Sequence, residues 1–296
     1  MTREIQSVVQ KFRLGDSWVT TILDGAQWRT PLNPPFAMDK SEAELQAIGQ
    51  ANRLPWTGFQ NSFTPTLIQT GKDLVLFDVG FGAAGRDSGC GQLRHRLTDA
   101  GYHPDDVTIV ALTHVHPDHI LGLWEGDELA FPNARHMIGR VEFDAWMSGE
   151  KIPPQRQANR QMFLDHVAPL AEQMTFLEDG DQVAAGLSAE AAFGHSAGHM
   201  MFRLTQQAQQ LLIWGDLTNH YVYSLKYPDS PVGFDDDKAQ AASSRNRVLD
   251  MAATDDLLVS GHHMPFPSIG YVERDGDGYR WVPASYQIWQ PDDQPS

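Results

Sequence analysis

The sequence predicts an α/β protein of one domain, with helices packed outside β-sheets. Three observations carry this. Short apolar, β-branched runs bounded by turn residues recur along the chain. Beyond about residue 107 they alternate with stretches of helical character. No repeat, low-complexity tract or long linker divides the 296 residues.

Residues 18–23 read as a strand, ended by Asp24-Gly25. A Pro-rich stretch at 31–35 precedes a helix that starts at Ser41 and runs to about Ile48, with Glu44 completing a capping box. Residues 65–69 and 74–78 form a hairpin across Thr70-Gly71-Lys72-Asp73. A helix over 93–100 stops at Gly101, and 107–112 is a short apolar strand. A strand at 135–138, a helix at 141–147 and a helix at 158–172 interrupted by Pro169 follow. Strands are expected near 174–177, 187–193, 200–205, 211–214 and 257–260, with an Ala-rich helix at 238–253. Residues 269–281 close the chain as a hairpin around Asp275-Gly276-Asp277-Gly278.

Composition narrows the function classes. Hydrophobic residues make up 41%, charged residues 20%, and mean hydropathy is −0.38, ordinary for a globular chain. No apolar run approaches the length of about eighteen residues that a membrane helix needs. The stretch Met1-Thr2-Arg3-Glu4-Ile5-Gln6-Ser7 has no apolar core and no small-residue cleavage site, so a cytoplasmic protein is expected. A formal net charge of −16 disfavours nucleic acid and anionic membranes as partners. A small-molecule substrate is expected instead, including an anionic one, because a bound cation dominates the field in its own pocket. A homodimer is compatible with this reading. Cys90 is the only cysteine, which excludes an intramolecular disulfide and a Cys-rich zinc site.

The twelve histidines are the informative count, since several sit in tight groups. Thr113-His114-Val115-His116-Pro117-Asp118-His119 directly follows an apolar strand. His114 and His116, two residues apart on an extended segment that turns at Pro117, can aim at one point. Asp118 and His119 can supply a second set of donors beside it. Neutral imidazoles and carboxylates suit zinc, and also iron or manganese. Left without a cation, such a group would crowd polar atoms at the end of a buried strand at a cost in stability. Three further candidates lie just past apolar strands: His195 after Phe193, Asp216 after Trp214, and either His262 or His263 after Ser260.

The pattern resembles the metallo-β-lactamase superfamily over most of the chain from about Phe63 onward. The resemblance implies a four-layer αβ/βα sandwich, with residues 1–60 as an N-terminal strand and an extension on the pocket side. It implies two divalent cations, zinc first. His114, His116 and His195 would hold one cation, Asp118, His119 and His263 the other, and Asp216 would bridge them. Asp78, in Phe77-Asp78-Val79-Gly80, matches the family's structural Asp-x-Gly. His263 is preferred to His262 because Gly261-His262-His263-Met264-Pro265-Phe266-Pro267 looks like the methyl parathion hydrolase group. Phe131-Pro132-Asn133-Ala134 and Gly278-Tyr279-Arg280-Trp281-Val282-Pro283 look like that group too.

Other residues are given a plainer reading. His199 reads as a packing neighbour of the ligands, and His136, His166 and His220 as ordinary surface or core histidines, His220 within reach of the pocket. Cys90 reads as a structural or exposed thiol. Trp146 and Phe163 match aromatic pocket positions of the methyl parathion hydrolases, but helical aromatics are core residues far more often.

The resemblance implies a hydrolase in which a hydroxide shared by two cations attacks a carbonyl or phosphoryl centre, with Asp118 and Asp216 as catalytic carboxylates. Esters, lactones and phosphotriesters are the expected substrates, as in methyl parathion hydrolase and N-acyl homoserine lactonase. Asp216 and His119 argue against a true β-lactamase, His116 against a flavodiiron reductase, and the short tail against glyoxalase II. Two alternatives stand beside the hydrolase: a one-iron oxidoreductase of the persulfide dioxygenase kind, and a non-catalytic metal-binding module.

Overall fold

The computed structural model describes residues 7–30 and 35–285. Prolines 31 and 34 and the residues before Ser7 lie outside this set, so the readings of the N-terminus and of most of the Pro-rich stretch concern residues that are not described.

The first half of the chain builds a seven-stranded mixed sheet. Its strands are β1 (Val9–Leu14), β2 (Ser17–Ile22), β5 (Thr66–Thr70), β6 (Asp73–Phe77), β7 (Ile109–Leu112), β10 (Arg135–Gly139) and β11 (Thr175–Leu177), adjacent in that order. The strands from β1 to β6 pair antiparallel, and those from β6 to β11 pair parallel. The second half builds another seven-stranded sheet. It contains β12 (Gln182–Ala184), β13 (Leu187–Ala191), β14 (Met200–Gln206), β15 (Gln209–Ile213), β16 (Leu258–Ser260), β17 (Ile269–Asp275) and β18 (Gly278–Pro283), in sequence order. Only β15 and β16 pair parallel there, joined through the long helix α7 (Lys238–Thr254). Two small antiparallel pairs remain: β3 (Gly25–Arg29) with β4 (Phe59–Phe63), and β8 (Trp124–Glu125) with β9 (Glu128–Leu129).

Side-chain alternation shows the layering. On β7, Ile109 and Ala111 face the second sheet, while Val110 and Leu112 face helices. On β15, Leu211 and Ile213 turn inward and Leu212 packs beneath α7 with Val248 and Leu249. Each sheet is therefore buried on both faces, which explains why its strands read as continuous apolar runs. The helices over the first sheet are α2 (Leu93–Asp99), α4 (Arg140–Ser148) and α5 (Gln157–His166), which contribute Leu93, Leu97, Phe143, Trp146 and Phe163 to the outer core. Helix, sheet, sheet, helix: this is the αβ/βα sandwich the sequence predicts.

The expected interruption at Pro169 is present, while several strands depart from the expected pattern. The helix over 158–172 ends at His166 and continues as a 3-10 turn, Ala168–Gln173. The break comes just before Pro169 because proline has no N–H to donate to the Asp165 carbonyl four residues back, so the α-helical ladder cannot continue through it. β1 and β12 are edge strands, and β3 and β4 pair with each other across more than thirty residues of sequence. Their half-polar sequences carry no strong apolar alternation, and pairing alone defines them. By contrast, α1 (Glu42–Ala51) opens with the expected capping box: Ser41 Oγ accepts from the Glu44 amide at 3.3 Å, and Glu44 accepts from the Ser41 amide at 2.9 Å.

Candidate metal centre

Four strand ends deliver the candidate residues to one edge of the two facing sheets. The β7 end leads into 113–119, where Pro117 starts the four-residue helix α3 (Pro117–Ile120). The segments after β13, β15 and β16 bring His195, Asp216 and His263. All seven predicted residues come together.

They form two adjoining groups. His114 Nε2, His116 Nδ1 and His195 Nε2 converge, with His116 Nδ1 lying 3.0 Å from each of the other two. Asp118, His119, Asp216 and His263 form the second. His119 Nε2 is 3.3 Å from Asp216 Oδ1 and 3.4 Å from Asp118 Oδ2, and His263 Nε2 is 2.8 Å from Asp216 Oδ2. Asp216 touches both groups, since its Oδ2 also lies 3.3 Å from His195 Nε2 and 4.0 Å from His114 Nε2.

This donor set fits cations. Roughly 3.3 Å separates neighbouring nitrogens on a tetrahedral zinc with ordinary bond lengths, close to the spacings found here. His119 Nε2 and Asp216 Oδ1 are buried and have no hydrogen-bond partner, an arrangement that is costly unless something else satisfies them. The field points the same way. Burial works against charge at Asp216, yet the facing His263 and His119 hold its carboxyl well below the usual range. Burial likewise opposes protonation of His119, but Asp216, Asp78 and Asp118 raise it well above an ordinary histidine. Burial and the crowding of its neighbouring imidazoles keep His114 neutral, the form in which it can donate a lone pair.

Each imidazole is oriented from behind. Asp78, which takes a left-handed backbone conformation (φ 61°), accepts from His119 Nδ1 at 2.8 Å and from the Thr113 amide at 2.8 Å. Thr113 Oγ1 meets His114 Nδ1 at 3.0 Å and donates to Asp78, and His263 Nδ1 donates to the Ser62 carbonyl at 2.9 Å. His199 belongs to neither group; its Nε2 accepts from the Asp216 amide at 3.1 Å, as its packing role requires.

His262 behaves differently from His263. Its ring lies on that of His119, centroids 4.1 Å apart, and it faces Asp78 and His119 from outside the two groups. Trp146 and Phe163 are fully buried in the core over the first sheet and do not line the cavity, so the core reading holds for both. His220 sits in an aromatic box with Phe36, Phe59 and Tyr223, where burial lowers its pKa to about 3. His136 is a core histidine, His166 half-buried on α5, and Cys90 a buried thiol.

Several residues around the centre carry no local sequence signal. Glu142 on α4 is buried and accepts from the amides of Val115 at 3.1 Å and Gly198 at 2.7 Å and from Ser196 Oγ at 2.5 Å, tying both histidine-bearing loops to one helix. Burial pushes its carboxyl up to about 7. Asp235, Asp236, Arg156 and Arg245 surround His195 and His116. Contacts such as Asp235 with His195, made across forty residues of sequence, leave no local trace in it.

A cavity of about 410 Å³ opens over the two groups. Its floor includes His116, Asp118, His195, Asp216 and His263. Phe59, Phe63, Phe81 and Phe234 supply apolar wall, and Arg29, Asn61, Arg156 and Asn219 supply polar positions.

The chain belongs to the metallo-β-lactamase superfamily, whose profile matches residues 64–263. Among solved structures it is similar to AidC, described as a dizinc quorum-quenching lactonase in complex with a product, N-hexnoyl-L-homoserine. The two are 25% identical with a TM-score of 0.88, over 94% of this chain and 98% of that one. It is equally similar to the hydrolase AbOPH, at 26% identity and TM-score 0.88, over 96% and 99% of the two chains. A curated relative, ribonuclease Z of Nocardia farcinica, is 35% identical over 83 residues, 28% of this chain and 23% of that protein. The match thus spans about a quarter of that relative's length.

Proposed function

We propose that this protein is a metal-dependent hydrolase of ester, lactone or phosphotriester bonds, working with two divalent cations, zinc first. His114, His116 and His195 are assigned to one cation, Asp118, His119 and His263 to the other, and Asp216 to both. The observation that carries this reading is the Asp216 carboxylate, which reaches His195 from Oδ2 and His119 from Oδ1, each at 3.3 Å. The likeness to a dizinc lactonase across nearly the whole chain supports it.

Two cations held by these residues would supply a nucleophile from water at neutral pH and would polarise the substrate's oxygen. The protein's own residues do the rest. Asp78, Thr113 and the Ser62 carbonyl hold the imidazoles in register, so little reorganisation is needed during reaction. Asp118, whose side chain is 15% exposed against 4% for Asp216, opens on the cavity and is assigned proton uptake from an attacking water. The phenylalanines of the wall exclude bulk water and receive the apolar part of a substrate. An RNA substrate is disfavoured by the net charge of −16, and the ribonuclease Z likeness covers too little of that enzyme to argue for one.

Metal analysis of purified, zinc-loaded protein should find close to two ions per chain. The same protein should hydrolyse members of a panel of lactones, aryl esters and phosphotriesters. Asp216→Asn removes the charge offsetting two dications and should cost at least ~100-fold in turnover. One redox-active iron per chain without hydrolysis would replace this reading with an oxidoreductase. Bound metal with no turnover of any panel member would leave a binding module.

A further inference from the structure

The segment 235–237 is zipped to the segment that carries His195. The Asp236 amide donates to the His195 carbonyl at 3.1 Å, and the Asp237 amide to the Gly194 carbonyl at 2.9 Å. The side chains of this segment then divide between two histidines. Asp235 Oδ1 lies 3.0 Å from His195 Nδ1, and its other oxygen accepts from Arg245 Nη1 at 3.1 Å. Arg245, fully buried on α7, is fixed in turn by the carbonyls of Pro228 and Ser230 at 2.8 and 3.0 Å. Asp236 Oδ2 faces His116 Nε2 at 3.5 Å, and both atoms are buried without a hydrogen-bond partner within normal bonding geometry. Asp236 Oδ1 accepts from Arg156 Nε at 2.7 Å.

Adjacent carboxylates therefore stand behind two of the three imidazoles of one group, each carboxylate held by its own arginine. The two histidines use opposite ring atoms. His195 presents Nε2 to the group and Nδ1 to Asp235; His116 presents Nδ1 to the group and Nε2 to Asp236. A carboxylate accepting the N–H on the far side leaves the lone pair on the near side, which fixes both tautomer and ring orientation.

We propose that Asp235 and Asp236 are positioning residues that set the tautomers of His195 and His116 and thereby the cation affinity of the three-histidine group, with Arg245 and Arg156 holding them in place. The proposal rests on the metal-ligand reading above. Because Arg156 also lines the cavity, the same link gives a substrate-side residue a route to the metal centre.

The test measures zinc affinity of the full-length protein by competition with a chromophoric chelator, alongside the melting temperature of the metal-free protein. Asp235→Asn and Asp236→Asn are compared with wild type. The expected result is two zinc ions in wild type, and one binding step weakened about 10–100-fold in each variant. The other step should change by less than about threefold. Metal-free melting of at least Asp236→Asn, the variant nearer the surface, should match wild type. Unchanged zinc affinity in folded variants would overturn the proposal, as would equal weakening of both steps. Wild-type protein that takes up no zinc would instead overturn the ligand reading itself, and the proposal with it.

Discussion

His262 and His263 are neighbours in sequence with different surroundings. His263 Nε2 is 2.8 Å from the Asp216 carboxylate, whereas the His262 ring lies on His119 and its Nε2 is buried without a partner. His263→Ala should therefore lower metal content toward one ion per chain and reduce activity sharply. His262→Ala removes a packing surface and should be milder in metal content. Side-by-side metal analysis decides between them, and the reverse ranking would transfer the ligand role to His262. Residues of this kind were legible because they follow closely on the strand ends at Leu112, Ala191, Ile213 and Ser260, where direction is set by the backbone. Glu142, Asp235 and Arg245 were not, since nothing in a helix or an acidic loop marks which distant amide or imidazole it will meet.

At the scale of elements, α4 and the loop after β13 are locked together. Gly198 approaches the first turn of α4 so closely that a Cβ there would lie 2.1 Å from the Glu142 amide nitrogen and 2.6 Å from its Cα. That proximity lets the Gly198 amide donate to Glu142 at 2.7 Å. Gly198→Ala must push the helix and loop apart, and by analogy with overpacked cores should cost about 1–3 kcal/mol. Urea unfolding measures this directly; an unchanged midpoint would mean the contact yields freely. Most strands and helices were legible from apolar runs, caps and turn residues. The exceptions include β1, β3, β4, β8, β9 and β12, whose identity depends on a partner strand rather than on their own pattern.

For the whole molecule, the centre joins the two sheets. His114, His116, Asp118 and His119 come from the first, and His195, Asp216 and His263 from the second. Cations bound there favour only the folded arrangement, so their removal should loosen the chain as a whole. Exhaustive chelation should lower the melting temperature measurably, and returning zinc should restore it. An identical melting curve with and without chelator would show that the sheets dock without help from the ions. The formal net charge of −16 adds a repulsion that bound dications would partly offset.

All seven residues assigned to the ions fall between 114 and 263, inside the stretch shared with the superfamily. Part of the cavity wall does not: Arg29, Thr30, Pro35, Phe59, Asn61 and Phe63 come from β3, β4 and the segments beside them, all upstream of that stretch. The residues proposed to hold the ions and part of the wall around them are thus written on separate lengths of chain. Side-chain changes at Arg29, Thr30, Phe59 or Asn61 would alter which molecules fit while leaving every proposed metal ligand in the chain.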